Sequence, residues 1–336
     1  MAEYASDAAL KTAWELWQTT ADDVRAAIES TERFADDPAQ RGAAYQSLLE
    51  AQAMAYNIAV APRRFMEHPR PFHHSTWHDN LLALGQPIQD FKYTGLFLDG
   101  RRTYTARVRR GASKLWLTQV HNTCLGDPDS KEIGNYDYDD FEIGADGTFE
   151  ITFSAQEHPG NWIRLDGDSS FNWLVMRRIL GDWEDDLGDF EFVHATPALP
   201  VEDPTAEAAE SITAAAHLVR YLVSAFTIGL HQLYIGRAGG RNAWATMPGT
   251  EVKDSLIGSR STVYVPAVFQ IGADEAVVVE WNVPESAYWS FQVGDIWSRP
   301  LDYLHHQTDL NMDRAVVDPD GKVRIVLALT DPGVPN

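Results

Sequence analysis

Two neighbouring imidazoles, His305 and His306, stand in a polar run that reads Asp302-Tyr303-Leu304-His305-His306-Gln307-Thr308-Asp309, with Asn311 and Arg314 just beyond it. An ordinary histidine titrates close to neutral pH, so such a loop can move a proton to or from a bound molecule. Asp309 is the expected orienting partner of whichever histidine acts. Arg314, or the more distant Arg177, is the expected clamp for an anionic group. The run lies between two apolar stretches expected to be strands, and loops held on a rigid sheet are where function concentrates. The plainer alternative is that the same side chains only pin the strands.

Other groupings point to other chemistries. His68, His73, His74 and His78 lie close together. On a helix His74 and His78 would share a face and could chelate a transition metal, with Asp79, His121 or a distant group as third ligand. Pro69 and Pro71 favour a plain surface loop there, and no second cluster has structural-site spacing. Asp182-Trp183-Glu184-Asp185-Asp186 and Tyr136-Asp137-Tyr138-Asp139-Asp140-Phe141-Glu142 set carboxylates beside aromatic rings, a combination suited to glycoside chemistry and sugar stacking. Asp137, Asp139 and Asp140 could also ligate calcium, although the twelve-residue loop pattern is missing. In so acidic a chain both runs read equally as solvated turns. Cys124 lies three residues after His121, weak grounds for a thiol nucleophile and ordinary for an inert buried thiol.

No G-x-S-x-G elbow and no phosphate-binding P-loop occur, and Gly236-Arg237-Ala238-Gly239-Gly240 follows a helical pattern rather than a strand. No cofactor is therefore expected. The aromatic side chains make up 11% of the chain, and Trp281, Tyr288, Trp289, Phe291 and Trp297 crowd together. Trp289, Phe291, Trp297 and Tyr303, with Arg177, are the expected walls of a pocket for an apolar ligand; core packing accounts for the same rings.

These residues need a scaffold. Ser6 can cap a first helix carrying Leu10, Trp14, Trp17, Val24 and Ile28; Asp37-Pro38 opens a second through Tyr45, Leu48, Leu49, Ala53, Tyr56 and Val60. Together they read as a helical hairpin over roughly 6–60. Alternation then marks strands around Tyr93–Phe97, Tyr104–Val108, Leu115–Val120, Phe149–Phe153, Trp162–Leu165 and Phe171–Leu180, with Asp99-Gly100 expected as a hairpin turn between the first two. Pro197, Pro200 and Pro204 mark a linker, and Asp203-Pro204 starts a long helix from about 204 to 238, stopped by Gly239-Gly240. Val263–Val265, Ala276–Trp281, Tyr288–Val293, Ala315–Val317 and Val323–Leu329 are the remaining strand candidates, with Asp320-Gly321 as a final turn. The expected units are 1–85 (helical), 86–200 (strand-rich) and 201–336 (long helix plus strands).

Net charge narrows the partners. The 336-residue chain carries 27 basic and 49 acidic residues, a formal charge of −22. Such a surface repels nucleic acid and anionic membranes. The apolar stretch near Ile212–Ile235 carries His217, Arg220 and His231, which makes a membrane span the poorer reading. Met1-Ala2-Glu3-Tyr4 shows no secretory pattern, and with one cysteine no intramolecular disulfide can form, so a cytoplasmic location is expected.

Several separated motifs, in order, resemble the domain-of-unknown-function family 1214. They are Asp146-Gly147-Thr148-Phe149-Glu150, His158-Pro159-Gly160-Asn161-Trp162, Arg177, Asp182-Trp183-Glu184, Asp274-Glu275-Ala276, Trp281, Pro284, Ala287-Tyr288-Trp289-Ser290-Phe291-Gln292, Asn311 and Asp331-Pro332-Gly333-Val334-Pro335-Asn336. The resemblance spans roughly 90–336. Chains similar to this one usually continue past the last motif into a tryptophan-containing tail. The resemblance implies a jelly-roll-like β sandwich with helical additions and carries no agreed reaction.

The combined expectation is an α+β protein, mostly antiparallel, with a jelly-roll-like sandwich, an N-terminal helical hairpin and one long connecting helix. Its expected role is that of a cytoplasmic enzyme or binding protein for a hydrophobic small molecule, whether aromatic, terpenoid or sterol-like. A carbohydrate-binding or carbohydrate-cleaving protein using Asp182, Glu184 and Trp183 is the second reading. A non-catalytic assembly protein is the third, and a homo-oligomer fits any of them.

Overall fold

The structure is a computed structural model that describes residues 7–75, 85–245 and 262–336. It is a mixed α+β fold whose sheets are mostly antiparallel. The helices come first: α1 (Asp7–Glu29), α2 (Glu32–Asp36) and α3 (Pro38–Ala55), the last running on through a wider π turn at Tyr56–Val60. Asp37 caps α3 as its sequence implies, accepting from Ala39 N at 2.9 Å with Pro38 in the first turn.

The strands then divide between two sheets. β1 (Phe72–Ser75) and β2 (Phe91–Leu98) join β4 (Leu115–His121), β5 (Glu132–Asp137) and β8 (Asn172–Ile179) in the order β1-β2-β8-β4-β5. β3 (Tyr104–Arg109), β6 (Thr148–Ser154), β7 (Trp162–Arg164) and β9 (Asp189–Ala195) form the order β7-β6-β3-β9. One observation corrects the expected pairing. β2 and β3 do not pair, so Asp99-Gly100 carries the chain from one sheet to the other instead of closing a hairpin. β7 runs parallel to β6.

β8 is the axis of the larger sheet and is buried along its whole length. Alternation sends Leu174 and Met176 to one face and Trp173, Val175 and Arg177 to the other. Leu174 and Met176, with Leu96, Leu98, Trp116 and Val120 of the same sheet, share one core with Tyr104, Val108, Ile151 and Phe153 of the four-stranded sheet. The opposite face, through Phe97, Trp173 and Val175, meets Val24 and Ile28 of α1, Ala51 and Met54 of α3, and the long helix.

That long helix begins at α4 (Pro204–Arg220), where Asp203 accepts from Thr205 N and Ala206 N, and widens to a π segment over Tyr221–Gly229. It ends as α5 (Leu230–Ala238) on Gly239 in the left-handed region, φ 73°. Among the described residues it is the one helix long and apolar enough to cross a membrane by length and composition. Here Ala214, Leu218, Val219 and Leu222 are buried in the core shared with α1 and α3, and α1 packs chiefly along α4.

Four short strands complete the fold. β10 (Ala276–Asn282) pairs with β13 (Lys322–Ala328), and β11 (Ser290–Gln292) pairs with β12 (Asp309–Asn311). β1, β5, β9 and β12 were not among the expected strands; β12 is only three residues long, whereas β9 alternates Phe190 and Phe192 with polar residues and packs both rings on the core. Val263–Val265 and Ala315–Val317, both expected as strands, lie outside any strand; Val317 makes only an isolated bridge to Val323.

Gly100 shows why the crossover needs glycine: a Cβ there would sit 1.8 Å from the Asp166 carbonyl oxygen. Gly100→Ala must move backbone, so we expect a loss of about 1–3 kcal/mol, read as a lower urea midpoint with an unchanged slope.

Candidate functional site

A buried carboxylate organises the C-terminal loop. Asp90, immediately before β2, is fully buried. Its Oδ1 accepts from the Trp183 indole at 3.0 Å and from the Arg314 guanidinium at 2.8 Å; its Oδ2 accepts from the Tyr288 hydroxyl at 2.8 Å. The same Arg314 nitrogen also donates to buried Asp309, and its guanidinium lies 5.6 Å from the Trp183 ring centre. Asn311 Nδ2 adds a bond to the Gly181 carbonyl at 2.8 Å, tying β12 to the turn that follows β8. Residues more than two hundred positions apart are thereby clamped around one point.

Electrostatics follow from burial. Burial pushes the Tyr288 hydroxyl well above its ordinary value and the Asp90 charge pushes it further, so Tyr288 stays a donor. Burial raises Asp309 more than the Arg314 bond lowers it. Burial would lower Arg314, but the bond to Asp309 and the Asp90 charge outweigh it, and the guanidinium stays cationic. Two carboxylates share this one cation.

Beside the network lies a cleft of about 380 Å³, lined by Trp183, Tyr303, His305, His306, Asp309 and Arg314 among others. Tyr303 meets Trp183 edge-on with ring centres 5.6 Å apart. His305 Nδ1 is 2.9 Å from Asp302 Oδ2 and 3.0 Å from Oδ1, and that bond lowers the Asp302 carboxyl. Pairing through Nδ1 leaves Nε2 as the ring atom that can meet a ligand. The arrangement is a histidine oriented by a carboxylate on an exposed rim, next to two aromatic rings.

The sequence-expected residues thus separate. His305, His306, Tyr303, Asp309 and Arg314 surround one cleft. The carboxylate beside His305 is Asp302, three residues back, whereas Asp309 is spent on Arg314. Arg314 in turn is occupied by two carboxylates and is no open anion clamp. Trp297 is 0% exposed, donates to Gln40 at 3.0 Å and has Arg33 over its ring; it belongs to the helical core. Trp289 and Phe291 pack on Trp281 in a separate core with β10 and β13, because alternation turned them inward. Arg177 points to the helix-facing side of the large sheet, where it meets Gln119 and the Tyr93 ring.

The remaining groupings are also placed. His74 lies in a strand, so the helical spacing that would align it with position 78 is not formed; His78 and Asp79 lie outside the described residues. No three His, Cys, Asp or Glu side chains converge as metal ligands among the described residues. Asp182 accepts from Glu184 N in a local turn, and both carboxylates are exposed. Asp137 caps the short turn Tyr138–Asp140, and Asp139 pairs with Arg110. Burial pushes the Cys124 thiol up to about 12, which removes it as a nucleophile. Asp90 was missed: nothing in the spacing links it to residues 183, 288 and 314, and only the fold brings them together.

Two outcomes follow. Asp90→Ala leaves Arg314, Trp183 and Tyr288 without their shared acceptor, and we expect it to cost about 3–5 kcal/mol, measured by urea unfolding. Burial, then the Arg177 charge, lowers His121 to about 4. As pH falls, the unfolded chain takes up this proton first. Stability is therefore complete above the ordinary value near 6.5 and is lost as pH falls through about 4. His121→Gln should flatten that limb by up to about 3 kcal/mol, seen in urea midpoints collected across the acid range.

Comparison with known proteins adds the family. A search of the curated proteins returns no match. Among solved structures, an uncharacterized protein from Burkholderia cenocepacia matches at 25% identity and a TM-score of 0.81, covering 96% of this chain and 87% of that one. The VPA0106 protein from Vibrio parahaemolyticus aligns at 13% identity over 86% of this chain and 89% of its own, with a TM-score of 0.41. Residues 87–181 match the family described as "Protein of unknown function (DUF1214)", a segment running from just before Asp90 to the Gly181 turn; the motifs from Asp274 to Asn336 lie beyond it. From β2 to β8, then, the chain carries a segment similar to the domain-of-unknown-function family 1214.

Proposed function

We propose that this chain is an enzyme or binding protein for an uncharged, aromatic small molecule held in the cleft between Trp183, Tyr303 and the 302–314 loop. The observation that carries the reading is the His305–Asp302 pair at 2.9 Å on the rim of that cleft. Such a pair holds the ring in one tautomer, so that Nε2 can accept or return a proton. The aromatic edges supply a stacking surface. Because Asp90, Asp309 and Asp302 outnumber Arg314 there, an anionic ligand is disfavoured. The terpenoid and sterol-like classes have less support, since the rings expected to wall a greasy pocket are packed in cores.

The scaffold belongs to the same proposal. Two sheets sharing one core support a jelly-roll-like sandwich, and α1 with α3 an N-terminal helical hairpin joined to it by the long helix. A charge of −22 supports a partner list without nucleic acid or anionic lipid, and the single buried cysteine accords with the cytoplasm. Homo-oligomerisation is compatible with this reading.

Thermal-shift screening tests it. Neutral aromatic ligands should raise the unfolding midpoint, and oligosaccharides should not. For any substrate turned over, His305→Gln should lower kcat by about a hundredfold with KM little changed. Stabilisation by oligosaccharides alone would favour the sugar reading through Trp183. No stabilisation by either, with a large stable oligomer, would favour an assembly role.

A further inference from the structure

Most donors around the His305 cleft are already used, and acceptors are left over. The Trp183 indole N–H goes to Asp90 at 3.0 Å. The backbone N–H of His306 goes to the Asp302 carbonyl at 3.1 Å, and that of His305 to Asp302 Oδ1 at 3.3 Å. The His305 ring meets the same carboxylate through Nδ1 at 2.9 Å. The His305 bond holds the Asp302 carboxyl below its ordinary value, so Asp302 stays ionised and can only accept. The ring proton of neutral His305 therefore sits on Nδ1, and Nε2 carries a lone pair.

Asp309 is a second acceptor lining the cleft; among the described residues its carboxylate is engaged only by Arg314, through Oδ2. Arg314 supplies the contrasting group. Beyond the nitrogen shared by Asp90 and Asp309, its Nε is an N–H without an acceptor among the described residues. The His306 and Gln307 side chains can serve either way. A ligand group that only accepts, such as an ether or ketone oxygen, leaves the Nε2 lone pair of His305 unmatched. An ammonium only donates and meets the guanidinium charge. A hydroxyl does both, giving one O–H and accepting through its oxygen.

We propose that the ligand of this cleft is a phenol, whose hydroxyl donates to His305 Nε2 while its ring lies in the corner between Trp183 and Tyr303. The proposal rests on the aromatic-ligand reading above and names the group that the ligand must carry. Trp183 and Tyr303 stand with their planes at 84°, so a flat ring can meet the face of one and the edge of the other. A phenol ordinarily ionises near about 10, and the carboxylates of Asp90, Asp302 and Asp309 oppose a further negative charge. The bound molecule is therefore neutral, and its proton stays on the phenol oxygen in the resting complex.

The full chain would be titrated at neutral pH with 2-naphthol and with its methyl ether, 2-methoxynaphthalene, by thermal shift and calorimetry. The two share a ring system, but only the naphthol has an O–H to give. Both should bind, the naphthol about five- to tenfold more tightly. His305→Ala should erase that difference and leave the ether's affinity unchanged; the His305 side chain is 76% exposed, so the variant is expected to fold. Equal affinity for the two compounds in the native chain overturns the proposal and leaves the aromatic-ligand reading standing. A naphthol advantage that survives His305→Ala also overturns it, because the hydroxyl is then held elsewhere. Binding of neither compound overturns both the proposal and the reading beneath it.

Discussion

The contact on which the candidate site depends is the buried ion cluster of Arg314 with Asp90 and Asp309. One guanidinium nitrogen serves carboxylates from distant parts of the chain, one before β2 and one in β12. Removing ionised groups from water is costly, so the cluster is tolerated only because every member has partners: Trp183 and Tyr288 occupy the remaining Asp90 lone pairs. Such a network contributes less to net stability than to uniqueness of arrangement. It places the loop that carries His305 against the turn that carries Trp183, and the cleft is what lies between them.

The large sheet performs a different service on each side. One face meets a second sheet chiefly through aliphatic and aromatic side chains. The other meets helices through Phe97, Trp173 and Val175, but a belt of Tyr93, Arg177, Gln119 and His121 interrupts the apolar surface. β8 contributes to both faces, which is why its sequence reads as nearly continuous apolar residues broken by Arg177 and Arg178. Arg178 turns the other way, over the Trp116 ring at 5.1 Å, so two adjacent arginines are buried on opposite sides of one strand. The family match runs from β2 to the end of β8 and takes in four of this sheet's five strands, so the matched segment bears Asp90 and Arg177.

The cleft and the belt differ in exposure. Around the cleft, carboxylates outnumber the one cation, and the available group is a histidine already oriented by Asp302. In the belt, Arg177, Gln119 and His121 are buried.

Local signals in the chain were enough for its helices, most of its strands and the loop that bears the candidate histidines. Asp37-Pro38 and Asp203-Pro204 cap helices because a side-chain oxygen and a fixed φ act within one turn, and β6, β8 and β13 follow from alternation. Partnership was not legible in the same way. Asp302, rather than Asp309, meets His305; Trp297 disappears into the helical core; β2 and β3 part into different sheets; Asp90 joins residues it never neighbours in the chain. Periodicity and capping are short-range, so residue types and spacing alone determined most of the elements and the loop that bears the candidate histidines. Which face each element buries, and which charge finds which, depends on contacts across hundreds of residues, and only the tertiary structure decided those.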